Sequence, residues 1–174
     1  MGRAKYGKAY FCFMLYFLAL VRHFLCSNSR HGTHSPFVYN IASDVIYSSE
    51  LIRSKTIVSI RCEWKKKPNY FWLVEDILKY LGIDKLSDKG RVEAEAYWAD
   101  LAKDRVEDLI ERVDHGQLLI IQEPYLDVRK WNKLIESESI VVSIDLFHFG
   151  IVLKRDEQHK ENFKLRFPYW RRNR

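Results

Sequence analysis

The chain has 174 residues, 47% hydrophobic and 14% aromatic, with a net charge of +6 and three cysteines. That length and apolar share favour one domain with a real core, and no segment reads as a linker or a low-complexity tract. Charge is uneven: residues 1–31 carry Arg3, Lys5, Lys8, Arg22 and Arg30 with no acid, and residues 154–174 carry eight basic and three acidic side chains. Basic ends suit an anionic surface, but solvated ends that aid solubility are the preferred reading, so nucleic acid is not expected as a partner. Cys12, Cys26 and Cys62 form no metal-type or redox-type spacing, which points to a reducing compartment and a cytoplasmic location.

The first predicted element is a helix over residues 4–26. Its apolar run from Phe11 to Val21 is shorter than the ~20 residues a membrane span needs, and it lacks the cleavage chemistry of a signal peptide. Its aromatics surround the helix, so cover on more than one side is expected: a second copy of the chain, or peripheral membrane contact through residues 4–26. A loop over residues 30–36 ends in Ser35-Pro36, a capped helix start, and a helix follows from Phe37 to Tyr47. Thr56 to Ile60 is β-branched and short, a strand. The spacing of Phe71, Val74, Ile77, Leu78 and Leu81 predicts a helix over 69–81, closed by Gly82 in a left-handed cap. Residues 91–113 read as one longer helix with Trp98, Leu101, Ala102, Val106, Leu109, Ile110 and Val113 inward. Leu118 to Ile121 reads as a strand covered on both faces, followed by a helix over 127–136. Ile140–Ile144 and Gly150–Leu153 read as antiparallel neighbours. A helical turn near 157–162 and a strand from Phe163 to Phe167 complete the pattern.

Two passages carry a resemblance. One is Arg30-His31-Gly32-Thr33-His34-Ser35-Pro36-Phe37-Val38-Tyr39. The other is Ser143-Ile144-Asp145-Leu146-Phe147-His148-Phe149-Gly150-Ile151-Val152, followed by Lys160-Glu161-Asn162-Phe163. Both resemble class I S-adenosylmethionine methyltransferase-like proteins of the Bacteroidetes type, which open with an RHGxHSPF loop and close with an IDLFxxG strand pair. The Trp131 helix matches that family's penultimate strand–helix unit. The resemblance covers roughly residues 5–50 and 116–167. It implies an α/β fold: a truncated Rossmann-like methyltransferase sheet with an antiparallel C-terminal edge. Residues 1–50 would be an N-terminal helical extension and residues 51–174 the reduced domain, together one globular unit.

The middle departs from the family. A glycine-rich turn normally follows the first strand, where glycine lets the backbone approach the cofactor. Here glycines stand at positions 2, 7, 32, 82, 90, 116 and 150 and none forms GxG. If Thr56–Ile60 is the first strand, Arg61-Cys62-Glu63-Trp64 replaces that loop with bulk. If it is the second, the first strand and its loop are absent, and Glu63 falls near the family's ribose-binding acid. The second register is preferred, because Leu81-Gly82-Ile83 also matches the segment after strand 2. The 65 residues between Glu50 and Gly116 are too few for a full cofactor-binding half, since one βαβ unit takes ~30, so a structural unit is expected to be missing.

Candidate site residues follow from these motifs. Relatives often carry two aspartates after the strand equivalent to Leu118–Ile121; here Gln122-Glu123 stand there. Glu123 keeps one carboxylate at a strand's carboxyl end, where α/β ligands usually bind, although one carboxylate is a weak metal site and no metal is expected. His31 and His34 lack a third zinc ligand, so a loop-ordering role is preferred, with His34 kept as a pocket candidate. Asp145 either faces a site or caps the turn after its strand. Ser35 reads as a helix cap rather than a nucleophile. Lys65-Lys66-Lys67 among Trp64, Tyr70, Phe71 and Trp72 reads as a solvated loop beside core aromatics, not a nucleic-acid platform. The resemblance with its missing loop implies a degenerate, non-catalytic protein acting as a binding or scaffold module. The alternative is an active enzyme using S-adenosylmethionine, with Glu63 on the ribose and Glu123 near the acceptor. A distant third is a basic protein of membrane surfaces or nucleic acid. An incomplete sheet leaves an open edge, so a homo-oligomer is also expected.

Overall fold

A computed structural model describes the backbone of residues 3–29, 34–49, 57–64, 66–89, 94–156 and 158–173, with the side chains of those between 13 and 171. Among the described residues there are five α-helices: α1 (Arg3–Cys26), α2 (Pro36–Asn40), α3 (Phe71–Tyr80), α4 (Val106–Asp114) and α5 (Val128–Glu136). Seven strands form one sheet: β1 (Ser59–Arg61), β2 (Lys85–Ser87), β3 (Ala96–Asp100), β4 (Leu118–Gln122), β5 (Val142–Asp145), β6 (Phe149–Leu153) and β7 (Glu161–Lys164). The sheet order is β1-β2-β3-β4-β6-β5-β7, and only β6 runs against its neighbours. The protein is therefore α/β with a mostly parallel sheet, Rossmann-like in general kind.

Alternation along the strands builds three layers. Ala96, Trp98, Leu118, Ile120, Ile144 and Ile151 turn to one side, where they pack with α2, α3 and the π-helical turn Ile41–Ile46 that continues α2. Tyr97, Ala99, Leu119, Ile121 and Val152 turn to the other, where α4 and α5 supply Leu109, Val113, Trp131 and Leu134. The strand over Leu118–Ile121 is thus buried on both faces as its continuous apolar run implies. Gly150 of β6 lies under Trp131; a Cβ there would stand 2.5 Å from the indole. This contact is a physical reason for the glycine of the closing motif.

The topology sharpens the register question. In doubly wound sheets the first strand sits in the middle and strand order reverses there. Here β1 is the outer edge, and the chain walks inward through β2, β3 and β4 without reversal. That removes the register in which this strand is the central first one. Three strands and two helices fill the described part of the stretch between Glu50 and Gly116. The piece lacking among the described residues is a crossover helix between β2 and β3. Parallel strands usually need a dozen connecting residues or more. β2 has three residues, about 10 Å of chain at ~3.3 Å each, and only residues 88–95 separate it from β3. Helix α3 and helix α4 lie on opposite faces although both connections step the same way along the sheet, so their crossovers have opposite hands. Helix α5 shares the face and the hand of α4. With right-handed connection the rule, α3 is the exception.

Several expectations need correction. Residues 91–113 are not one helix: β3 occupies Ala96–Asp100 and α4 begins at Val106. The helical spacing joined two elements across a turn. Asp104 Oδ2 accepts the Asp100 N–H at 2.7 Å and Asp100 Oδ1 accepts the Ala102 N–H at 3.0 Å, bonds that close a turn and stop a helix. The expected helical turn at 157–162 gives way to β7, which starts at Glu161 and pairs in parallel with β5. The sheet's C-terminal side does hold the antiparallel strand, but β6 is inserted between β4 and β5, and the edge strand is β7. The strand at Thr56–Ile60 is shifted to Ser59–Arg61, with Thr56 outside the described residues.

Helix α1 crosses the carboxyl end of the sheet. Tyr16, Ala19, Leu20 and His23 turn inward, and Asn28 bridges to Leu165 beside β7. The opposite face leaves Phe13, Phe17, Leu18, Phe24 and Leu25 about half exposed or more. Cover on one side only is thus present within the chain. Arg171 is half-buried, donating to Asp76 at 3.2 Å and to the Val45 carbonyl. Trp64, Tyr70, Phe71 and Trp72 belong to or border the core, with Lys66 and Lys67 in the exposed loop beside them.

Candidate functional site: an aromatic cleft at the carboxyl ends of the strands

β4 ends at Gln122, whose Oε1 accepts the Trp98 indole N–H at 3.2 Å. The next residue, Glu123, lies at φ 43 and ψ 59, left-handed space that costs a side-chain-bearing residue about 1–2 kcal/mol. It is pinned there from both sides: its N–H donates to the His148 carbonyl and its carbonyl accepts from Leu126, both at 2.9 Å. Phe147, in the β5–β6 turn facing it, is also at positive φ, 68°. These are the only residues other than glycine in this conformation among the described residues. Strained backbone held by its surroundings is a frequent mark of a site.

Beside them opens a cleft of about 480 Å³. Its walls are Tyr16 from α1, Tyr70 and Trp72 at the start of α3, His148 from the β5–β6 turn, and Phe167 and Tyr169 after β7; Gln122 and Glu123 form one side and Lys66 also borders it. The rings are mutually packed. Tyr70 stacks on His148 at 5.5 Å, His148 meets Phe167 edge-on at 4.7 Å, and Phe167 meets Tyr169 at 4.9 Å. Tyr125 stacks on Phe147 at 4.4 Å and donates its hydroxyl to Glu123 at 3.2 Å. The Tyr70 hydroxyl is buried and has no hydrogen-bond partner among the described residues.

The electrostatics are one-sided. Burial, then the Glu123 charge, pushes the Tyr16, Tyr70 and Tyr125 phenols up, so all stay protonated. Burial, with His23 nearby, holds His148 down at about 4, and it shares a 3.0 Å hydrogen bond with the Tyr169 hydroxyl. At neutral pH the wall is therefore neutral aromatic surface with one carboxylate, and among the described residues the only cation on its border, Lys66, is exposed.

The other candidates lie elsewhere. Asp145 caps the turn after its strand. Its Oδ1 accepts the Phe147 N–H at 2.9 Å, capping the turn, and meets His23 Nε2 at 3.1 Å, docking α1. It also borders a separate pocket of about 290 Å³ with Arg22, His23 and Lys164. Glu63 is exposed, pairs with Lys89 and borders neither pocket. His34 is exposed at the other end of the sheet. Ser35 beside it caps α2, accepting weakly from Val38 N–H at 3.5 Å, and also accepts from Gln158 at 2.7 Å, between β6 and β7. His31 lies outside the described residues. Sequence reasoning found Glu123 but missed Tyr16, Tyr70, His148 and Tyr169. His148 stood inside the closing motif; the tyrosines come from three distant segments and left no shared signal.

The carboxyl ends of β1 and β3 are filled by the chain itself. After β1, Trp64 wedges against Phe71 at 4.7 Å and Trp98 at 5.0 Å. After β3, Asp104 takes the Tyr97 hydroxyl at 3.2 Å, and Lys130 reaches the carbonyls of Leu101 and Asp104. Cys62 is half-buried, and burial with Asp88 pushes its thiol up to about 12, which leaves it unreactive. Among the described residues no group of three His, Cys, Asp or Glu is placed to hold a metal, and no helix is long and apolar enough to cross a membrane. Comparison with protein-family models, with curated proteins and with solved structures finds no match.

Proposed function

We propose that this chain is a methyltransferase-like α/β protein that binds a ligand at the carboxyl end of its sheet without transferring a methyl group. The observation that carries this reading is the Trp64 wedge. Methyl-transfer relatives need open backbone after an early strand so that the cofactor can lie close. Here the Trp64 indole from the turn after β1 packs against Phe71 and against Trp98 of β3, so bulk stands beyond both strands whichever is taken as the early one, and the turns after β1 and β3 contain no glycine. The residues present do not fit S-adenosylmethionine bound in the family's manner. Glu63, the remaining ribose candidate, pairs with Lys89 away from the cleft. Open space has moved to the β4–β6 side, around Glu123. Calorimetric titration of the full chain with S-adenosylmethionine is expected to give no binding heat. Stoichiometric binding at micromolar concentration would overturn the reading.

Self-association is a second element of this reading, supported by the exposed apolar face of α1. Light scattering is expected to report a species larger than one chain, and a monomer at high concentration would refute it.

A further inference from the structure

Among the described features, the aromatic cleft combines three things that each narrow what can occupy it. Its walls are π-faces and edges from three tyrosine, tryptophan or phenylalanine segments and from His148. Its one half-buried charge is Glu123. Its remaining polar atoms are few: Gln122 is already engaged with Trp98, and the buried Tyr70 hydroxyl has no partner among the described residues. An anion would face the Glu123 carboxylate. A bare divalent metal needs six or more oxygen ligands or a set of nitrogen and sulfur donors, and one carboxylate does not supply them. A primary ammonium loses three strong hydrogen bonds to water and finds too few acceptors to replace them. An alkylated ammonium has few or no N–H donors to satisfy, spreads its charge over methyl groups, and gains from ring faces.

We propose that this cleft binds an alkylated ammonium group, with the accessible rings of Tyr16, Trp72 and Tyr169 around its N-methyls and Glu123 as counter-charge. The inference rests on reading the cleft as the ligand site and adds the chemical class of the ligand. His148 is part of the recognition because burial keeps it neutral at physiological pH: a cationic imidazole stacked on Tyr70 would repel the ligand. Lys66 borders the cleft on the solvent side and does not neutralise Glu123, since no ion pair joins them among the described residues.

The test uses the full chain and choline chloride, with 3,3-dimethylbutan-1-ol as a probe of the same shape without charge. Ligand-observed NMR at pH 7.5 reads the methyl resonance, which ring currents shift upfield when the group sits among aromatic faces. Choline is expected to bind at least about tenfold more tightly than the neutral probe, as cation–π and counter-charge contributions imply. Glu123→Gln, which keeps size and backbone, is expected to weaken choline about tenfold and leave the neutral probe unchanged. Tyr169→Leu, at a half-exposed wall residue, is expected to weaken choline severalfold and reduce the upfield shift. Equal retention of the two probes, no binding of choline, or full choline affinity in Glu123→Gln would each overturn the cation site and leave the non-catalytic reading standing. S-adenosylmethionine binding that choline fails to displace would do the reverse.

Discussion

At the amino ends of the parallel strands the tight turns fall on Gly82 and Gly116, at φ +73 and +85. At the carboxyl ends the same left-handed space is taken by Glu123 and Phe147. The first pair closes α3 and α4 before β2 and β4. Ile83 N–H reaches the Leu78 carbonyl at 2.9 Å, and Gln117 N–H reaches Arg112 at 3.0 Å, the longer bond of a glycine cap. A Cβ on either glycine would meet nothing within 4 Å, so glycine is there for backbone conformation alone. At the other end the chain accepts strain in order to place a carboxylate and a ring. Turns that only redirect the chain follow local rules; turns that present side chains break them.

That contrast can be tested by disturbing each end in turn. The largest effect is expected at Gly150, where the antiparallel strand enters from the carboxyl end. Gly150→Ala forces the indole of Trp131 to move and should cost about 3 kcal/mol in urea denaturation. A matching loss in a Trp131→Ala background would show that the contact is not the cause. Next comes pH. His148 is held at about 4 when folded, against an ordinary 6.5. Below 6.5 the unfolded chain takes a proton that the folded chain refuses, so stability present above that value is lost as pH falls towards 4. From pH 7 to pH 5 this contribution should fall by about 2 kcal/mol. His148→Gln should remove that part of the slope, and an unchanged slope would mean the ring is not held neutral. The smallest effects compare the two kinds of turn directly. Gly116→Ala should cost ~1 kcal/mol, while Glu123→Gly should be level or gain ~0.5 kcal/mol. If Glu123→Gly instead costs as much as Gly116→Ala, the strain at the carboxyl end is not real.

The amino end was legible in the sequence, because caps and glycine turns are local. Ser35-Pro36, Gly82 and Gly116 each announce themselves within four or five residues. The hairpin at the end of the sheet was legible for the same reason, since β5 and β6 are adjacent in sequence. The helix assigned to 91–113 failed because Trp98, Leu101 and Ala102 fit a 3.6-residue period by coincidence. The local cue against it was the Asp100–Asp104 turn. β2 escaped notice because three residues give no periodicity. At the candidate site, Glu123 could be found from its place after a buried strand. Asp145 was rightly suspected of capping a turn, but its partner His23 lies 122 positions away, beyond any local pattern. Tyr16, Tyr70 and Tyr169 are brought together by α1, α3 and the tail after β7, so only the fold makes them neighbours.

The contact between Gly150 and Trp131 has a consequence for heredity as well as for packing. The two positions share one volume, 2.5 Å being too close for a Cβ and an indole to coexist. A lineage can enlarge residue 150 only after it shrinks residue 131, and the intermediate with neither side chain carries a cavity. The pair should therefore change together or not at all. A glycine at position 150 is thus tied to a large residue at position 131 on α5.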